Sequence, residues 1–437
     1  MKYFLVTYGC QMNISDSERV AAVLEELGFE KTEKEEEANI LGVVACSVRQ
    51  TSINRVYGRI VAWNERRDRE QVITFVSGCI LDRDRKKFAK LFDLQFSIED
   101  LPKLPDLLST YGVPFVPHAG LASDPDRTGY WKIAPHCEST IQAWIPIQNG
   151  CNRFCAYCAV PYTRGREVSR DSQEILDEIS GLIERGYRRF TLLGQNVNSY
   201  GRDREGSLPI FARLLDDAAS IIEKSGHEAL IHFTSPHPSD MGREVFEVMR
   251  DRKAVARQVH LPLQSGDDAV LARMRRSYTL ARYREIVGWI RDLVPDATLF
   301  TDIIVGFPGE TEAEFENTRR AMEEFAFDMA FVAMYSPRPG TTGSRMKDDV
   351  PQAEKKRRLH VLAELLKEIA GQRKVGMVGT TQRVLVDGLV SPGLWSARTS
   401  GLLPVHVAGP EGALATGQFA DVRITGSGSM SLAAASI

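Results

Sequence analysis

Three short apolar runs, each followed within three residues by a cysteine, constrain this chain more than any other feature. Tyr3-Phe4-Leu5-Val6-Thr7 leads to Cys10, Ile40-Leu41-Gly42-Val43-Val44 to Cys46, and Val72-Ile73-Thr74-Phe75-Val76 to Cys79. Runs of this length and composition are strands, and helical spacing fills the stretches between them. In the first such stretch Ser15-Asp16-Ser17-Glu18 has the form of a capping box, Val20, Val23, Leu24 and Leu27 make one apolar face, and Gly28 ends the helix. Strand and helix in alternation fold as a parallel sheet whose strand C-termini share one edge, where α/β folds gather their ligands. Three thiolates arriving there from distant positions suit three corners of a cubane iron–sulfur cluster. The competing reading is a small buried hydrophobe at each strand end.

A second cysteine group is local. Cys151-Asn152-Arg153-Phe154-Cys155-Ala156-Tyr157-Cys158 has the spacing Cys-x3-Cys-x2-Cys. Three thiolates leave the fourth iron of a 4Fe–4S cluster without a protein ligand, free to chelate the amino and carboxylate groups of a small molecule. Structural zinc prefers four ligands in two separated knuckles, and no second knuckle is present. Cys137, in His136-Cys137-Glu138, is read as an incidental thiol. The triplet, with the aromatic Tyr157 just before its last cysteine, resembles the signature of the radical S-adenosylmethionine (SAM) enzymes.

A length of 437 residues suits two or three domains with substantial cores. No apolar stretch approaches the roughly 20 residues that span a bilayer, and the N-terminus lacks an export signal, so a soluble protein with no membrane partner is expected. Seven cysteines without a dense, even pattern are not a disulfide scaffold. Cluster thiolates need a reducing compartment, which points to the cytoplasm. The net charge of −3 means that any nucleic-acid contact relies on local basic patches.

The expected fold class is α/β. An open parallel-sheet domain spans 1–116 and a linker 117–136, marked by the Pro-, Asp- and Gly-containing stretch around Pro114 to Tyr130. Over 137–372, strand–helix units follow the cluster loop: a helix over 172–185, strand 190–193, a helix over 208–223, then strands 229–233, 258–261, 298–305 and 328–334. Such repetition predicts an open parallel (β/α) barrel, similar to the partial barrel of radical SAM enzymes. From 373 to 437 short strands and glycine-rich turns predict a small β-barrel.

Polar groups gather at strand ends. Gly194-Gln195-Asn196-Val197-Asn198-Ser199-Tyr200 offers amides that read a base edge or hold SAM. Leu263-Gln264-Ser265-Gly266 is a similar loop, and so is Val305-Gly306-Phe307-Pro308-Gly309-Glu310, which resembles the segment lying along the adenine of SAM. Tyr157, Gln195 and Gly306 are thus the expected SAM contacts. Arg164, Arg166 and Arg170 suit an anionic substrate or the SAM carboxylate, or else ion pairs with Glu167, Asp171 or Glu174. The runs Arg273-Met274-Arg275-Arg276 and Lys355-Lys356-Arg357-Arg358 suit phosphate contact or a solvated helix face. In the terminal barrel, Trp395 is a candidate for base stacking or for the core, and Arg398 for phosphate contact.

Across essentially its whole length the chain resembles the methylthiotransferase family of radical SAM enzymes, and within it the branch acting on isopentenylated tRNA. The motifs are Tyr8-Gly9-Cys10-Gln11-Met12-Asn13, Cys46-Ser47-Val48-Arg49, Val160-Pro161-Tyr162-Thr163-Arg164-Gly165-Arg166-Glu167, the Gln195 loop and Ser336-Pro337-Arg338-Pro339-Gly340. Ala45 and Ile80-Leu81 depart from the usual flanks of the N-terminal cysteines. The last module resembles the RNA-binding TRAM barrel, although it carries few basic residues. The resemblance implies two 4Fe–4S clusters, one on Cys151, Cys155 and Cys158 with exchangeable SAM, and an auxiliary one on Cys10, Cys46 and Cys79. The first reductively cleaves SAM to methionine and a 5′-deoxyadenosyl radical, and the second carries the sulfur that is methylated and transferred. The implied substrate is C2 of N6-isopentenyladenosine 37, in a tRNA anticodon stem-loop where the base splays into a pocket. A reducing electron donor is required, and a monomer is expected. The alternative is a sister enzyme acting on threonylcarbamoyl-adenosine tRNA or on a ribosomal protein.

Overall fold

The computed structural model describes residues 1–111, 129–204, 209–410 and 412–437. It divides into two compact units. The first comprises Met1–Glu138, Asn149–Asn152 and Cys158–Arg170, and the second Ser139–Gln148, Arg153–Tyr157 and Asp171–Ile437.

The first unit is built on a parallel sheet of strands β1 (Lys2–Tyr8), β2 (Glu30–Lys31), β3 (Ile40–Cys46), β4 (Ile73–Cys79) and β5 (Leu94–Gln95), in the order β2-β1-β3-β4-β5. β3 lies at the centre and is buried along its whole length, as a strand covered on both faces must be. Its alternate residues serve two cores. Ile40 and Val44 join Val20, Val23 and Leu24 of helix α1 (Gln11–Glu26), whereas Leu41 and Val43 join Ile53, Val56, Ile60 and Trp63 of helix α2 (Gln50–Arg67).

Helix α1 starts a turn earlier than the Ser15 capping box predicts. Cys10 is the N-cap, and its backbone N–H donates to Asn13 Oδ1 at 3.3 Å. Ser15, Asp16, Ser17 and Glu18 therefore lie inside the helix and are buried. The two serines bond within it: Ser17 Oγ donates to the Asn13 carbonyl at 2.9 Å, and Arg19 donates to Ser15 Oγ at 2.7 Å. Of the expected linker 117–136, residues 117–128 lie outside the described residues. The next stretch is part of the fold: Gly129–Lys132 form a 3-10 turn, and Tyr130, Trp131 and Ile133 are buried in the core beside Tyr3 and Phe75.

In the second unit Gln142–Pro146, Arg189–Leu193 and Leu230–Phe233 form one parallel sheet. Gln258–His260, Thr298–Val305 and Met329–Met334 form another. A single bridge, Ile231 to Val255, continues the ladder between them, so six strands follow one another in chain order as a partial barrel. The helix Gln352–Val375 then leads to a closed antiparallel and parallel barrel of Thr381–Ser391, Leu394–Thr399, Pro404–Ala408, Phe419–Ser427 and Leu432–Ser436. Its core includes Val384, Val386, Val405, Val407, Val422 and Ile424. Among the described residues, no helix is long and apolar enough to cross a membrane.

A polar ladder joins the partial barrel to the terminal one. Arg189 Nη1 meets Asp387 at 2.7 Å, and Arg189 Nε donates to Gln142 Oε1 at 2.6 Å. Gln142 Nε2 donates to Thr191 Oγ1 at 2.9 Å, and Thr191 Oγ1 lies 3.1 Å from His232 Nε2. Burial, with the charges of Arg189 and Arg398, pushes the His232 pKa from 6.5 down to about 3. Folded His232 therefore stays neutral where the unfolded chain takes up a proton, so its contribution is complete above pH 6.5 and is lost as the pH falls towards 3. His232→Gln, which keeps a partner for Thr191, is expected to flatten the fall of melting temperature across that window. An unchanged slope in a pH series of thermal melts removes His232 from the account.

Candidate functional site

The three strand-end cysteines meet in the first unit. β3 and β4 pair without a break from Ile40–Ile73 to Cys46–Cys79, which sets the two cysteines opposite one another at the sheet edge. Two glycines permit the close approach. A Cβ on Gly78, at φ +102°, would lie 2.4 Å from the Ala45 carbonyl, and one on Gly9 would lie 2.2 Å from Asn13 Oδ1. Asn13 reaches two of the three cysteines and the neighbour of the third: its Oδ1 accepts from the Cys10 backbone, and its Nδ2 donates to the carbonyl of Ala45, just before Cys46, at 3.4 Å and faces Cys79 Sγ at 3.7 Å.

Arg164 is also buried here. Its Nε donates to Cys79 Sγ at 2.8 Å, one Nη to Asn149 Oδ1 at 3.0 Å, and the other to Asp16 Oδ2 at 2.5 Å. This corrects the expectation of an anion- or SAM-binding arginine, because the guanidinium is occupied by a thiol and a buried carboxylate. Desolvation raises the Cys10 thiol pKa. The hydrogen bond shared by Cys46 and Cys79 lowers the pKa of the first and, with burial, raises that of the second. A polar cavity of about 280 Å³ opens beside Arg164, lined by Gly78, Arg85, Ser97, Glu99 and Asn149 among others.

Among the described residues, no three His, Cys, Asp or Glu side chains gather closely enough to hold a single metal ion. A cubane does not require that, because its irons stand between the thiolates. The donor set fits one: three cysteines on one edge, two of them buried, with N–H donors aimed at sulfur.

Of the local triplet, Cys151 and Cys158 fall in the first unit and Cys155 in the second. The Cys151 N–H donates to the Gly165 carbonyl at 3.1 Å. Gly150 at φ +84° leaves room for the Arg166 carbonyl, which a Cβ would meet at 2.1 Å. In the second unit Phe154 takes a left-handed conformation at φ 43°, immediately before Cys155. Arg276 Nη1 donates to Cys155 Sγ at 3.4 Å, and its remaining contacts are the Tyr278 hydroxyl and the Pro262 carbonyl. Tyr157 packs against the cluster of Ala156, Phe307 and Tyr335.

Several candidates have close structural neighbours. Asn196 donates to the buried Asp240 at 2.9 Å, and Asn198 exchanges hydrogen bonds with the His237 backbone at 2.8 and 3.0 Å, so Gln195 is the loop amide left partly exposed. The space beside Gly306 is filled by the Lys355 stem, 2.4 Å from where a Cβ would stand. Arg170 is buried and reaches the Trp131 carbonyl at 3.5 Å. Several members of the two basic runs are ion-paired within the fold. Arg273 pairs with Glu314 at 2.8 Å, Lys355 with Asp348 at 2.5 Å and Arg358 with Glu310 at 2.8 Å. Trp395 lies in the core of the terminal barrel, and Arg398 is partly exposed beside Asp387 at 3.3 Å.

Asp16, Asn149, Asp240 and His237 were not anticipated. Asp16 carried a signal, because it sits four residues before Val20 on the apolar stripe of α1, where a charge is out of place unless paired. Asn149 and His237 carried none.

Known proteins match along the chain. The uncharacterized protein family UPF0004 matches residues 2–98, the radical SAM superfamily 145–322 and the TRAM domain 376–435. The tRNA-2-methylthio-N(6)-dimethylallyladenosine synthase of Carboxydothermus hydrogenoformans is 39% identical over 394 residues, 88% of each chain. That of Thermoanaerobacter sp. is 38% identical over 433 residues, 97% of this chain and 90% of the relative. Among solved structures, the radical SAM methyltransferase TsrM from Kitasatospora setae has a TM-score of 0.57 at 13% identity, covering 90% of this chain and 78% of its own, which bears out the radical SAM fold. A 4Fe–4S cluster and SAM are thereby cofactors of this protein. The chain belongs to the methylthiotransferase family of radical SAM enzymes, together with the tRNA-2-methylthio-N6-dimethylallyladenosine synthases.

Proposed function

We propose that this enzyme transfers a methylthio group to C2 of N6-isopentenyladenosine 37 in tRNA, giving the 2-methylthio derivative. The observation that carries the reading is the meeting of Cys10, Cys46 and Cys79 at one sheet edge, in a chain that also holds a Cys-x3-Cys-x2-Cys loop and shares 39% identity with such a synthase. Cys151, Cys155 and Cys158 hold the SAM-binding cluster, and Cys10, Cys46 and Cys79 an auxiliary one. When bound, such clusters supply a low-potential electron for SAM cleavage and an open iron for sulfur. The chain's own part is to place and shield them: Cys46, Cys79, Cys151 and Cys155 are buried, which keeps water from reactive species. Tyr157, Gln195 and Gly306 contact SAM. The anticodon stem-loop is the macromolecular partner, a reductant supplies electrons, and the enzyme works as a cytoplasmic monomer, with functional divisions at 1–116, 137–372 and 373–437.

The test is mass spectrometry of an isopentenylated anticodon stem-loop after anaerobic incubation with iron-reconstituted protein, SAM and a strong reductant. A methylthio mass gain, lost in Cys10→Ala and in Cys155→Ala, is expected. Formation of 5′-deoxyadenosine with unchanged RNA moves the substrate to threonylcarbamoyl-adenosine or a ribosomal protein, and no cleavage despite intact clusters rules out the enzyme reading.

The core position of Trp395 generates a separate expectation. Trp395→Leu lowers the melting temperature of the terminal barrel, by on the order of 2 kcal/mol of stability, yet leaves tRNA affinity in equilibrium binding unchanged. A stacking tryptophan would lose roughly 1–3 kcal/mol of binding.

A further inference from the structure

We infer that Arg164 positions the auxiliary cluster and sets its reduction potential by donating its Nε–H to Cys79. The inference rests on the reading of Cys10, Cys46 and Cys79 as cluster ligands. Arg164 is 5% exposed, and its guanidinium bonds in three directions at once, to Cys79 Sγ, Asn149 Oδ1 and Asp16 Oδ2. Its plane is therefore fixed, and the fork that fixes it is one lysine lacks. The Asp16 side chain is 1% exposed. Burying such a pair is expensive, and an apolar pair of the same volume would stabilise the core as well or better. The arrangement makes sense if the charge serves a neighbour, and that neighbour is the sulfur 2.8 Å away.

A donor on a ligand sulfur favours the state with more negative charge, which is the reduced cluster, so it raises the potential. Asp16 opposes this through space while holding the donor in place. The same segment, Cys158–Arg170, begins with the last cysteine of the local triplet and belongs to the first unit. One stretch of backbone thus carries a ligand of one cluster and the donor to the other.

The experiment uses the full chain carrying Cys151→Ala, Cys155→Ala and Cys158→Ala, so that iron is held only by the remaining triad. After reconstitution, iron and sulfide are counted and the cluster is titrated against potential by electron paramagnetic resonance. Adding Arg164→Gln is expected to lower the midpoint potential with iron retained, and Asp16→Asn to raise it. Arg164→Lys, which keeps the charge without the fork, falls between Arg164→Gln and the parent. A potential equal to the parent's in both Arg164 variants overturns the inference. If Arg164→Gln fails to hold iron, Arg164→Lys decides alone: a lowered potential supports the inference and an unchanged one overturns it. A parent that binds no iron overturns the ligand reading itself, a result distinct from a parent with iron and indifferent Arg164 variants.

Discussion

The register of β3 against β4 is the constraint on which the chemistry of the first unit depends. In a parallel pair each residue has one partner, and a slip of a single residue turns every side chain to the opposite face. With Ile40 against Ile73, Cys46 falls opposite Cys79 at the edge, while Ile40 and Val44 face α1 and Leu41 and Val43 face α2. Burial on both faces therefore specifies where the thiols stand. Gly42 belongs to the same design, since a Cβ there would lie 2.1 Å from the Phe75 ring. The strand is packed too tightly on either side for the cysteines to drift.

Much of this was legible because it is periodic. Apolar runs spaced by helices dictate a parallel sheet, and the cysteines that close those runs must leave it at one edge. What escaped was long-range and polar. Ser15-Asp16-Ser17-Glu18 has the letters of a capping box, but a box requires its residues at a helix start, and Cys10 with Asn13 had already taken that role. Tyr130 and Trp131 sit in a segment whose neighbouring Pro and Gly suggest a linker, yet two large rings cannot stay in water when a core lies within reach. The amides Asn196 and Asn198 have partners more than thirty-five residues away, and no local pattern reports such bonds.

Basic residues are ambiguous for a related reason. A run of Lys and Arg on a helix reads as a solvated face or an anion site, but sequence does not show which members turn inward. In the run at Lys355 two of four are buried, and each meets a carboxylate, Asp348 or Glu310. An inward cation needs a counter-charge or a chain of acceptors, and finding which one it has distinguishes a structural pair from a functional group.

That criterion separates two arginines that both reach a cysteine sulfur. Arg164 is neutralised by Asp16, so its effect on Cys79 is the local one of a hydrogen bond within a balanced pair. Arg276 reaches Cys155 at 3.4 Å, stacks over the Tyr278 ring at 5.0 Å and otherwise meets a hydroxyl and a carbonyl. Burial lowers its pKa, and charge interactions with Tyr157, Tyr278 and Cys155, with the hydrogen bond to Tyr278, more than offset that. A guanidinium held this way among neutral groups is stabilised when negative charge arrives at the sulfur beside it. On the proposed reading of Cys155 as a cluster ligand, the cluster supplies that charge. The two cysteine groups are therefore prepared for negative charge by different means, one through a compensated donor and the other through a cation that lacks a carboxylate among the described residues.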